Sequence, residues 1–127
     1  MKRLHNPETV HQPLAAYAHQ IEVTEPKRWL VMSGQIGMRP DGSLPDDPIE
    51  QIRIALDNIR KNLEAAGMNI KDLVKLTFYL VGEMNTAQRR EVLSEWLGEY
   101  APCSTLLYVA ALATPAIKVE IDACACE

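Results

Sequence analysis

A chain of 127 residues, 47% hydrophobic and 24% charged, is long enough to close one core without disulfides or a structural metal, so a single domain over residues 1–127 is expected. Its 13 Lys+Arg against 17 Asp+Glu leave a formal charge of −4, which supplies no basic field for nucleic-acid phosphates or anionic lipid heads and favours a small-molecule ligand. No stretch approaches the roughly 20 apolar residues that span a bilayer, and the opening MKRLHNPETVHQP has no apolar signal core, so no membrane association and a cytoplasmic location are expected.

Residues 1–14 carry Pro7 and Pro13, which remove backbone donors and restrict their neighbours, and this segment reads as an extended lead-in. Tyr17 to Val23 alternates loosely, and after a break at 24–27 the run Trp29-Leu30-Val31-Met32-Ser33 is rich in strand formers; together they form a hairpin candidate. Gly34 and Gly37 then interrupt the strand pattern, as a bulge or a close approach of another group requires.

A helix is predicted from Asp47, with Asp47 as cap, Pro48 at the first helical position and Glu50 placed to reach back to the cap amide. Ile49, Ile52, Leu56, Ile59, Leu63 and Ala66 share one face, and Gly67 is the expected stop. From Val74 to Val81, Val74, Leu76, Phe78 and Leu80 alternate with Lys75, Thr77 and Tyr79, the period of a strand with one buried face. Asn85 caps a second helix whose buried arc is Val92, Leu93, Trp96 and Leu97 and whose stop is Gly98. Strands over Ser104 to Val109 and Lys118 to Ala125 complete the order β-β-α-β-α-β-β, an α+β domain with two helices on one face of a mixed sheet. On the other face, Leu106 with Tyr108 and Cys124 with Cys126 are too apolar for open solvent, so that face is expected to be an interface.

The runs Ser33-Gly34-Gln35-Ile36, Gln51…Ala55-Leu56…Asn58-Ile59…Leu63-Glu64-Ala65-Ala66-Gly67, Asp72-Leu73-Val74-Lys75 and Val119-Glu120-Ile121-Asp122-Ala123 together resemble the Rid family, also called YjgF-like or L-PSP-like, over nearly the whole chain. The resemblance implies a chorismate-mutase-like fold, a homotrimer whose sheets pack into a central barrel, and small-ligand clefts between subunits. It further implies hydrolysis of reactive 2-imino or enamino acids to 2-keto acids and ammonia, with no cofactor. Glu120 matches the family's last-strand glutamate, which orients water or handles protons; Tyr17 matches the first-strand tyrosine and Gly34 the pocket glycine. Three positions depart from the pattern. Ser104 stands where the family's deaminases carry the carboxylate-binding arginine, Leu106 where cysteine is common, and Arg90 where the second helix often carries an asparagine.

Each candidate has a plainer alternative. Arg90 either restores the missing cation from another wall of the cleft or lies along the helix edge with its head in water, and Arg89 is either an interface residue or splayed to solvent. Glu120 either works on the substrate or pairs with Lys118 or a neighbouring subunit; Tyr17 either lines the cleft or packs in its strand. Ser104 has no neighbouring base to activate it and reads better as a small residue that widens the pocket. The odd set Cys103, Cys124 and Cys126 reads as inert thiols, His19 as a structural histidine, and neither set has the spacing of a metal site. Two functions therefore stand side by side: an imine or enamine deaminase with altered carboxylate recognition, and a non-catalytic trimer that binds a metabolite or a partner protein. A ribonuclease reading, also attached to the family, lacks any basic-aromatic stripe.

Overall fold

The computed structural model describes residues 1–127. Its elements are β1 (Lys2–His5), β2 (Gln20–Val23), β3 (Trp29–Ile36), α1 (Pro48–Ala65), a short 3-10 turn (Ile70–Asp72), β4 (Leu73–Leu80), α2 (Thr86–Leu97), β5 (Cys103–Tyr108) and β6 (Val119–Cys126). The main sheet runs β3-β6-β4-β5, with β6 antiparallel to both neighbours and β5 parallel to β4. That mixed sheet with two helices is the α+β architecture expected, and α2 is the crossover that parallel β4 and β5 require.

Helix α1 forms where the pattern predicts. Asp47 accepts from the Ile49 amide at 3.1 Å and Pro48 opens the first turn. Glu50 does not return to the cap; it pairs with Arg53 at 3.0 Å, one turn on. At the other end Gly67 takes φ 72, and the Gly67 and Met68 amides donate to the Glu64 and Leu63 carbonyls at 2.9 and 2.8 Å. This crossed pair satisfies the last-turn carbonyls and needs the left-handed residue that glycine supplies. Ile52, Leu56, Ile59 and Leu63 are fully buried against Leu76, Phe78, Leu80, Ile121 and Ala125 of the sheet, and Val92 and Leu97 of α2 join the same core.

The N-terminal region departs from the expected hairpin. Residues 20–23 pair with Lys2–His5 in a separate two-stranded ribbon, while Trp29–Ile36 pairs with β6. Lys2 fixes the ribbon to the domain: its Nζ donates to the Cys126 and Lys71 carbonyls at 2.7 and 3.0 Å and to Asp72 at 3.3 Å. The lead-in thus contains a strand, and Tyr17 lies in the loop before β2, outside any strand.

The side of β5 also differs. In register with Leu76, Phe78 and Leu80, the residues Ser104, Leu106 and Tyr108 point to the helix side, and Cys103, Thr105 and Leu107 point to the open side. Leu106 and Tyr108 therefore do not belong to the uncovered face. Its apolar surface comes instead from Trp29 (52% exposed), Val31 (80%) and Leu107 (43%), with Cys124 beside them.

Candidate ligand site

The sheet splits the sequence-predicted site into two groups. On the helix side, at the β5 edge, a cavity of about 210 Å³ is lined by Tyr17, Arg89, Arg90 and Ser104 with apolar walls from Ala15, Ala16, Phe78, Leu93 and Leu106. Four of the expected residues meet here: Tyr17, Arg90, Ser104 and Leu106. The loop before β2 brings Tyr17 across, where its hydroxyl accepts from the Leu14 amide at 3.2 Å and its ring meets His19 edge-on at 5.6 Å. His19 is itself held by its Nε2 to the His11 carbonyl at 2.6 Å, so it acts as a prop for the tyrosine loop.

The first two turns of α2 supply the arginines. Asn85 caps the helix by accepting from the Gln88 amide at 2.9 Å, which sets Arg89 and Arg90 one turn from the pocket residue Leu93. Arg89, half-buried, donates from Nη1 to the Tyr108 hydroxyl at 2.8 Å, and neither arginine enters an ion pair. Arg89 belongs to the cavity as fully as Arg90 does. Adjacent helical residues diverge by about 100°, so helical periodicity alone assigns the pair to different directions. The cavity straddles that flank of the helix and takes both.

Gly34 and Glu120 meet on the opposite, open face. Here β3 bulges between Met32 and Gln35, and a Cβ on Gly34 would fall 2.7 Å from the Glu120 Cδ and Oε2. A side chain at position 34 would thus displace Glu120, which lies across the Gly34 Cα. Glu120 is half-buried and makes no ion pair with Lys118. One residue along the same face, the Tyr79 hydroxyl donates to Asp122 Oδ2 at 3.1 Å, and that carboxylate pushes the phenol above its ordinary pKa. Burial raises the Cys103 and Cys124 thiols, which lowers their thiolate fraction and fits their reading as unreactive.

A supporting residue carries no obvious chemical signal in the sequence. Gln51, fully buried on α1, donates from Nε2 to the Pro45 and Ala116 carbonyls at 2.8 and 3.0 Å and accepts from the Lys118 amide at 2.9 Å. It ties the entry of α1 to the segment that leads into β6, and so sets where Glu120 begins. A larger, more open depression of about 490 Å³ lies between the C-terminal ends of α1 and α2. Its arginine, Arg60, is already held by Asp57 and Glu64, so the smaller cavity has the better claim to a ligand.

The chain is a small α+β protein whose sheet edge carries a cavity with apolar walls, unpaired cations and hydroxyl groups, the make-up of a candidate small-ligand site. Comparison with known proteins gives the rest. The family model described as Endoribonuclease L-PSP matches residues 8–127. The chain is 32% identical over 127 residues to a RutC family protein of Pyrococcus horikoshii, covering 98% of each chain. It is 30% identical over 115 residues to the 2-iminobutanoate/2-iminopropanoate deaminase of Escherichia coli, covering 87% of this chain and 89% of that one. Among solved structures, the Rid-family protein YyfB of Yersinia pestis, of unknown function, superposes with a TM-score of 0.87 at 27% identity, covering 99% and 98% of the two chains. TdcF of Escherichia coli with bound serine superposes at 0.72 and 26% identity, with 98% of each covered. The chain belongs to the Rid family, also called YjgF-like or L-PSP-like.

Proposed function

We propose that this protein forms a homotrimer through its open sheet face and that the clefts so completed bind small imino, enamino or keto acids, hydrolysing reactive 2-imino acids to 2-keto acids and ammonia. The observation that carries this is the split site. Tyr17, Arg90, Ser104 and Leu106 share a cavity on one face of the sheet, and Gly34 with Glu120 occupies the other. Within one chain Glu120 faces away from that cavity; in this reading a neighbour that covers the open face and wraps the β5 edge supplies its own Glu120 at the cavity's mouth. The exposed Val31, Trp29 and Leu107 give such a neighbour an apolar surface to cover. The deaminase among the relatives and the serine bound to TdcF support a small amino-acid-like ligand.

In this reading Glu120 takes a proton from water as the water oxygen bonds to the imine carbon, and passes that proton to the nitrogen. The resulting carbinolamine gives its hydroxyl proton to the nitrogen through the same carboxylate, and ammonia leaves as the C–N bond breaks and the carbonyl forms. The reaction needs positioning and proton transfer, which a carboxylate held against a glycine backbone can provide. Tyr17 forms a wall, and Arg90 offers the cation that Ser104 does not.

The test is ammonia release from freshly generated 2-iminobutanoate, with sedimentation of the same sample. A rate above buffer that is lost in Glu120→Ala, from a species of three chains, is expected. A stable monomer would overturn the completed cleft. No rate above buffer would overturn hydrolysis and leave the second reading, a non-catalytic trimer, which Ser104 in place of the family's arginine favours. Calorimetry with keto acids then measures binding directly.

A further inference from the structure

We infer that the cavity takes a dianion, a dicarboxylic keto or imino acid of four or five carbons, in preference to the monocarboxylic acids of the deaminases it resembles. This deepens the functional reading above and rests on that cavity being the ligand site.

The argument begins with charge. The chain as a whole is acidic, at −4, yet the lining of this cavity contains two arginines and no carboxylate. Leu93 lies four residues after Arg89 and three after Arg90, so both arginines neighbour it on the helix and flank the same apolar ridge. Their position raises the electrostatic cost of leaving them unpaired. Both lie near the N-terminus of α2, whose dipole is positive there, and the first turn holds no acidic residue to offset it. A bound anion offsets both cations and the dipole; a monoanion leaves one guanidinium without a partner.

Shape and donor count agree with the charge. Arg89 is anchored through one nitrogen to Tyr108 and keeps the rest of its fork free, and Arg90 has no protein partner. Planar forks suit carboxylates, which they can grip by two parallel bonds. Between the arginines and Ser104 the walls are Phe78, Leu93 and Leu106, which suit the short methylene chain between two carboxylates. On the strand side the cavity presents Ser104 and no cation, while α2 presents two, so the charge available to a ligand lies on the helix.

The experiment is calorimetric titration of the full-length protein with 2-oxoglutarate and with 2-oxopentanoate, which have the same carbon skeleton and differ by the second carboxylate. Preference for 2-oxoglutarate of about tenfold or more is expected, shrinking at least severalfold in Arg89→Gln and in Arg90→Gln and weakening with salt. Arg90 is exposed, so its variant tests the idea without threatening the fold, and a thermal melt verifies this. Equal affinity for the two acids, no binding of either, or an unchanged preference in both variants would overturn the inference. The parent reading fails separately. Trimers that hydrolyse 2-iminobutanoate as readily as 2-iminoglutarate sink the dianion preference alone, whereas a monomer or inert trimer with an arginine-dependent preference for 2-oxoglutarate sinks hydrolysis or assembly alone.

Discussion

The Glu120 carboxylate lies across the Cα of Gly34, so closely that a methyl group there would stand 2.7 Å from Cδ and Oε2. Gly34 is not among the glycines with positive φ, so what opposes alanine is contact and not backbone conformation. The obstructing atoms belong to the end of a flexible side chain, which can swing away. Gly34→Ala is therefore expected to cost less than about 1 kcal/mol of stability while lowering ammonia release by about tenfold or more through displacement of the carboxylate. A thermal melt paired with steady-state kinetics measures both; a variant with full activity contradicts the role given to Glu120.

Assembly has its own test in Val31. Its side chain is 80% exposed in the middle of β3, on a face where Trp29 and Leu107 are also uncovered. An acid placed there gains water as a monomer and loses it in any interface that covers the face. Val31→Glu is expected to shift the sedimenting species from trimer towards monomer without unfolding the chain. Wild type and variant sedimenting alike would mean that this face is not the interface.

Most of the fold is legible because its elements bury one face with an unbroken period. Helix α1, with its aspartate cap, proline and terminal glycine, and β6, with Val119, Ile121, Ala123 and Ala125 inward, need no tertiary knowledge. Two features lack such a signal. Lys-Arg-Leu-His has neither alternation nor strong strand formers, and β1 exists because Gln20–Val23 and the Lys2 contacts hold it. Leu106, Leu107 and Tyr108 are apolar on both sides of an edge strand, so a period of two cannot say which side meets the helix. The candidate site shows the same division: the sequence marks Tyr17, Arg90 and Glu120 as candidates, but the sheet that separates Glu120 from the others appears only with the strand register.

Gln51 gives a stability prediction with a clear chemical cause. Its three hydrogen bonds, all part-buried, satisfy two carbonyls and one amide, and a hydrocarbon of similar size removes all three. Gln51→Leu is expected to cost about 3 kcal/mol, read as a lower urea midpoint with an unchanged m-value. A loss below about 1 kcal/mol would mean that water replaces the side chain at little cost.

Tyr100 sets the response to alkaline pH. Its hydroxyl donates to the Leu73 carbonyl, and burial, assisted by the negative charge of Asp72, pushes its pKa from the ordinary 10 up to about 12. The fold therefore favours the neutral phenol. Below pH 10 folded and unfolded chains both hold the proton, and the contribution to stability is complete. Between pH 10 and 12 the unfolded chain releases the proton while the folded chain keeps it, so stability falls as pH rises. Because the ring is only about half-buried, the expected slope from this group is about 1 kcal/mol per pH unit or less. Tyr79 is shifted in the same direction, through Asp122, so the whole-protein curve contains both groups. Subtracting the urea-unfolding curve of Tyr100→Phe from that of wild type isolates Tyr100: the variant starts less stable at pH 9 and the gap narrows towards pH 12. A gap that stays constant across that window would show that Tyr100 titrates alike in the folded and unfolded chains.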